Sequence, residues 1–179
     1  MMVGLEYAVL SDADYFVYVE QDVLLVGQGI VEACIDAMHA PYMFGSGEGT
    51  PQLLQQSFFI IRKDGMRRFI ERIHSIPERD CELFPEDKFF IAASSMGSFA
   101  RFLFRSLRRN RKGWFRKKLT KTMVKLYQGH DCLPFGYGRD RPIAFHDQFY
   151  YFQHGSESEL KQYLERVAGG AKDGRNQDC

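Results

Sequence analysis

"DYFVYVEQDVLL", Asp14 to Leu25, is the stretch on which the reading of this chain turns. Tyr15 through Val19 are all aromatic or β-branched, side chains that suit a pleated, partly buried strand. Glu20, Gln21 and Asp22 then stand directly against that apolar run, before Val23, Leu24 and Leu25 resume it. On an extended chain residues two apart share a face, so the spacing predicts a strand end carrying two carboxylates side by side.

The elements on either side follow the same rhythm of strand and helix. Met2 to Leu10 reads as helix, "SDAD" as a turn, and Tyr15 to Val19 as the first strand. Ile30, Val31, Cys34, Ile35 and Met38 recur at intervals of three and four, which predicts an amphipathic helix within Gly27 to Ala40, stopped by Pro41. Phe44 to Pro51, "FGSGEGTP", reads as a loop, and Gln55 to Arg62 as a second apolar strand leading into a helix near Asp64. Pro77 and Pro85 bracket an acidic loop, and Pro85-Glu86-Asp87 opens a further helix. Gln148 to His154 is a third strand, and Ser156 to Val167 a last helix capped by Ser156 or Ser158. This alternation predicts an α/β layered architecture, one domain over residues 1–167, and a frayed tail over 168–179.

Composition excludes several classes. The chain has 179 residues, 45% hydrophobic and 26% charged, which suits one globular domain with a real core. Cys34, Cys81, Cys132 and Cys179 form no CxxC pair, so they read as free thiols of a reducing compartment, and a cytoplasmic location is expected. No apolar run approaches the roughly 20 residues of a membrane span, and no basic segment precedes an apolar signal core.

Ligands of layered α/β folds bind beyond the carboxyl ends of the strands, which directs attention to Glu20, Asp22 and His154. Two carboxylates offer hard oxygens to Mg²⁺ or Mn²⁺ and leave positions open for substrate oxygens and water; His154 adds an imidazole at the end of the third strand. The alternative is a solvated strand end in which Asp22 caps a turn. Glu86 and Asp87 lie in the first turn of a helix, where acids equally well complement the helix dipole. Arg139 and Arg141 sit in a Gly-rich loop and suit a phosphate, or are simply solvated. His154 is followed by Gly155, which lets the backbone turn close to a ligand, whereas His146 stands at the strand's beginning. "GSGEGT" lacks the Lys-Ser/Thr of a P-loop.

In order and placement these residues resemble the sites of GT-A-fold glycosyltransferases: a strand ending acid-x-acid, a Pro-Glu-Asp at a helix start, and a late strand ending in His. The resemblance spans roughly Met2 to Val167. It implies a partial GT-A, Rossmann-like mixed-sheet sandwich with flanking helices, and a nucleotide-sugar donor whose diphosphate is held by Mn²⁺ or Mg²⁺ on Asp22, Glu20 and His154. It implies Asp87 as the base that deprotonates an acceptor hydroxyl, Glu86 as a second acceptor contact, an inverting reaction, and Lys88, Arg139 and Arg141 as donor-binding cations. The first acid is Glu where the family usually has Asp, which makes Asp22 the stronger ligand. The family also places a nucleotide-binding half of about a hundred residues ahead of this strand, the size of a small domain, so the chain is expected to be a C-terminal portion.

No Asp or Glu occurs from Lys88 through His130. Within that block a basic helical insertion is predicted near 97–126, broken at Gly113, with Arg101, Arg105, Arg108, Arg109 and Lys112 beside Phe99, Phe102, Leu103 and Leu107. Such a helix suits an anionic membrane surface, at roughly 1 kcal/mol per basic residue, and a lipid-linked or other glycan acceptor fits that setting. The competing readings are a solvated helix face and a non-catalytic module that uses helix 99–121 to bind membrane or nucleic acid; nucleic-acid binding leaves the strand-end carboxylates unexplained.

Overall fold

The computed structural model of the chain describes residues 1–47, 52–77, 83–95, 122, 125–137, 149–153, 156–158, 160–162 and 164–165. Helix α1 (Met2–Leu10) runs into strand β1 (Tyr15–Val19) through a turn in which Asp12 takes φ 58° and pairs with Lys63 at 2.8 Å. Strand β2 (Val23–Val26) and helix α2 (Ile30–Asp36) follow, then β3 (Tyr42–Ser46), the long β4 (Leu54–Arg62), α3 (Lys63–His74) and α4 (Pro85–Ala93). Short strands β5 (Asp131–Cys132) and β6 (Gly136–Tyr137) precede β7 (Tyr150–Gln153).

The strands form two sheets. A mixed four-stranded sheet has the order β1-β4-β3-β5, with antiparallel pairs except β3 with β5; a three-stranded sheet has the order β2-β7-β6, with β2 and β7 antiparallel. The four-stranded sheet is apolar on both faces, and β4 shows why. Phe59 and Ile61 point to one side, where Tyr42, Phe44, Met66, Phe69, Phe89 and Phe90 pack under α1, α3 and α4. Phe58 and Ile60 point to the other, against Met43, Val23, Leu133 and Cys34 of α2. The period of two that alternates side chains across a strand thus fills two core layers from one "FFII" run. Phe59 is the hub of the larger layer, stacked on Tyr18 at 4.9 Å and meeting Phe89 edge-on at 5.6 Å; full burial of such a ring contributes about 2–3 kcal/mol.

The architecture is α/β with a mixed sheet and flanking helices, as the alternation predicts, but three local expectations change. Phe44 to Ser46 belong to strand β3 and not to a loop: Met43 and Phe44 are fully buried between β4 and β5, and the tertiary pairing overrides the turn propensity of Gly45 and Ser46. Val23–Val26 does not continue β1; it is a separate strand in the other sheet. Helix α2 is shorter than the apolar spacing suggests. It starts after Gly29, whose φ of 80° favours glycine, and ends before Ala37, well ahead of Pro41.

Most of the basic stretch 97–126, the turn-rich stretch 138–148 and the tail 168–179 lie outside the described residues, as does the loop centred on Glu48. Residues 157, 158, 160–162, 164 and 165 are helical behind Ser156, in keeping with the predicted last helix. Among the described residues no helix is long and apolar enough to cross a membrane.

Candidate functional site

Glu20-Gln21-Asp22 is the point at which the chain leaves one sheet and enters the other. The Glu20 N–H donates to the Ser57 carbonyl at 2.8 Å, ending β1 on β4, and the Val23 N–H donates back to the Glu20 carbonyl at 3.1 Å. That bond closes a four-residue turn. The two carboxylates therefore converge through a turn and not by lying two apart on an extended strand, which corrects the sequence expectation.

What they converge on is Gln153, the last residue of β7. Its side-chain Nε2 donates to Glu20 Oε2 at 2.6 Å and to Asp22 Oδ1 at 3.2 Å. The antiparallel register Val23↔Gln153 fixes this meeting, because it sets the end of β7 beside the start of β2, one residue past Asp22. Gln153 is 1% exposed, Glu20 half-buried and Asp22 exposed, so the group runs from the interior to solvent. A neutral amide donating to two carboxylates makes charge-assisted bonds and relieves part of their mutual repulsion.

Two buried polar atoms at this place have no partner. Gln153 Oε1 accepts no hydrogen bond, and the hydroxyl of Ser57, whose carbonyl holds Glu20, is likewise unsatisfied. Leaving such an atom unpaired costs about 1–3 kcal/mol, and native structures keep few of them outside functional sites. The sheet is also irregular here. Phe44 pairs with Phe59 but the next residue, Gly45, pairs with Gln55, so β4 bulges over residues 56–58. Bulges of this kind re-aim side chains beside sites. Tyr18 completes the group: burial pushes its phenol above the usual tyrosine range, and the charges of Glu20 and Asp22 push it further, which keeps it a neutral O–H.

Glu20 and Asp22 come together; His154, one residue beyond Gln153, lies outside the described residues, as do His146, Arg139 and Arg141. Asp87 is 1% exposed, and its Oδ2 accepts the Phe84 N–H at 3.0 Å, the carboxylate half of a capping box at the start of α4. Glu86 and Lys88 flank it, both half-buried. Gln153, Ser57 and Tyr18 were not singled out by the sequence. The available signal was a glutamine closing the apolar run "FYYFQ", where a buried amide must find partners.

A second polar group is buried without being part of this site. His130 lies edge-on between Phe44 at 5.5 Å and Phe90 at 5.6 Å, and its Nδ1 is unsatisfied. Burial lowers its pKa to about 4, against a smaller opposing effect from Asp131, so the ring is neutral near pH 7. Asp131 itself is turned away, its Oδ2 accepting the His39 and Ala40 N–H groups at 2.7 Å each.

No family model matches the chain, and comparison with curated proteins and with solved structures likewise gives no match.

Proposed function

We propose that the chain carries the acid site of a metal-dependent glycosyltransferase-like enzyme that moves a sugar from a nucleotide-sugar donor to a glycan or lipid-linked acceptor, with inversion. The observation that carries this reading is the convergence of Glu20 and Asp22 on the end of β7, the strand that His154 follows. Two like charges held together on one buried amide raise the folding cost, and a cation-binding role accounts for retaining them.

The donor set fits a hard divalent ion. Among the described residues no three His, Cys, Asp or Glu side chains gather, but the carboxylates of Glu20 and Asp22 supply oxygen atoms of the type that Mg²⁺ and Mn²⁺ take. Bound there, the ion would neutralise charge on a leaving diphosphate without a proton. Glu20 and Asp22 provide the negative charge, Asp22 facing solvent where a donor enters. The Tyr18 phenol, held neutral beside them, is a hydrogen-bond donor available to an anionic ligand. Glu86 and Asp87 supply the carboxylates for the acceptor hydroxyl, Asp87 as the base and Glu86, the more accessible, as the acceptor contact. Lys88, with Arg139 and Arg141, supplies positive charge for donor phosphates.

Thermal unfolding with and without Mn²⁺ tests the reading. The melting temperature of the wild-type chain should rise with Mn²⁺ and rise again when a nucleoside diphosphate is added, while Asp22→Asn should lose both effects. A wild-type chain indifferent to Mn²⁺ at millimolar concentration overturns it.

A further inference from the structure

We propose that Gln153 is itself a ligand of the divalent cation, and that its side-chain amide turns over when the cation binds; this rests on the metal-site reading above and goes beyond it. In the structure Nε2 faces the two carboxylates and Oε1 is buried with no partner. A half-turn about the terminal torsion, which is broad and roughly two-fold for glutamine, exchanges the two atoms. It brings Oε1 to the position that Nε2 holds, 2.6 Å from Glu20 Oε2 and 3.2 Å from Asp22 Oδ1. An oxygen so close to two carboxylate oxygens is repelled unless a cation lies among them.

The spacing suits a small octahedral cation. Neighbouring ligands of an octahedral ion at about 2.1 Å are about 3 Å apart. Separations of 2.6 and 3.2 Å bracket that value, as Mg²⁺ or Mn²⁺ would require. The two orientations are complementary: the amide hydrogens serve in place of positive charge when the cation is away, and the carbonyl oxygen joins the acids when it is present. At 1% exposure Gln153 has little room to do anything but rotate in place, which makes it a fixed ligand and not a swinging one. The buried hydroxyl of Ser57, whose carbonyl holds the Glu20 N–H, is a second unpartnered oxygen beside the same turn.

The sign of one substitution separates a ligand from a mere clamp. Gln153→Leu removes both the oxygen and the N–H bridge. If the amide only clamps the acids, its loss frees them, and Mn²⁺ binds as tightly as before or more tightly. If it is a ligand, affinity falls, by about tenfold for a lost interaction of this class. Titration of the full chain with Mn²⁺ alone, followed by calorimetry, should therefore show binding by wild type, weakening of at least that size in Gln153→Leu, and recovery in Gln153→Glu, which presents an oxygen in either orientation. Equal or tighter binding by Gln153→Leu overturns the inference and leaves the metal-site reading standing; no binding by wild type overturns both. The Gln153 side-chain amide protons in wild type give an answer independent of any variant's folding. Saturating Mg²⁺ should remove their hydrogen-bonded chemical shifts, and shifts that persist at saturation overturn the inference.

Discussion

Asp87 Oδ2 accepts the backbone N–H of Phe84 at 3.0 Å, and the carboxylate that does so is buried at the first turn of α4. This fastening is separable from any proton transfer. Asparagine keeps an acceptor oxygen of the same reach, so Asp87→Asn should unfold in urea within about 1 kcal/mol of wild type, whereas Asp87→Ala should lose about 1–3 kcal/mol. If the same carboxylate is the base, Asp87→Asn in a chain that transfers sugar should lower kcat by at least about a hundredfold while leaving donor binding unchanged. A rate that survives Asp87→Asn assigns the residue to the helix start alone.

His130 sets an acid limit on stability. Its pKa is about 4 in the folded chain and about 6.5 in an unfolded one, so the unfolded state takes up the proton first as pH falls. Its contribution is complete above pH 6.5 and is lost between there and pH 4, on the order of 3 kcal/mol in total. Urea midpoints measured across that interval should fall with falling pH. His130→Phe, placed between the same two phenylalanine rings, should flatten the part of the profile that His130 contributes.

Gly129 is irreplaceable for a steric reason. A Cβ there would stand 2.2 Å from the Ala93 carbonyl oxygen and 2.9 Å from the Ser95 nitrogen, both backbone atoms at the end of α4 that no rotamer change can clear. Gly129→Ala should cost at least about 2 kcal/mol, with a lowered melting temperature as the readout. Gly29, with open space around its absent Cβ but a φ of 80°, should lose less, about 1 kcal/mol.

The thiols differ in reactivity. Cys34 is fully buried on α2, and burial pushes its pKa up to about 12, while Cys132 is exposed. Maleimide at pH 8, followed by peptide mass spectrometry, should modify Cys132 within minutes and reach Cys34 only on addition of denaturant.

Much of the layer structure was legible in the sequence, because α1, β1, β4 and the starts of α3 and α4 are written in local periodicity and punctuation. Tyr15–Val19 carries its strand character residue by residue, and Pro85-Glu86-Asp87 marks a helix start by φ and charge alone. β2 and β3 were not legible as strands. Val23–Val26 looks like more of β1 because nothing local says that a turn at Glu20 sends it to another sheet, and Gly45 and Ser46 are held extended by pairing with β4. For the same reason the acid pair could be found but its partner could not. The amide that joins Glu20 and Asp22 arrives from 133 and 131 positions away, through a strand pairing that depends on the finished fold.

That distance gives the turn at Glu20-Gln21-Asp22 a place in time as well as in space. Contacts of such long range are made late, after the loop between them has paid its closure entropy. The β1–β4 pairing, between segments about forty residues apart, is able to form well before Gln153 leaves the ribosome. Until then Glu20 and Asp22 hang at the rim of an incomplete sheet as two repelling charges, with no amide between them. Docking of β7 relieves that repulsion and brings the amide between the acids in one event. A chain that stops short of residue 153 carries both acids and lacks the amide that joins them.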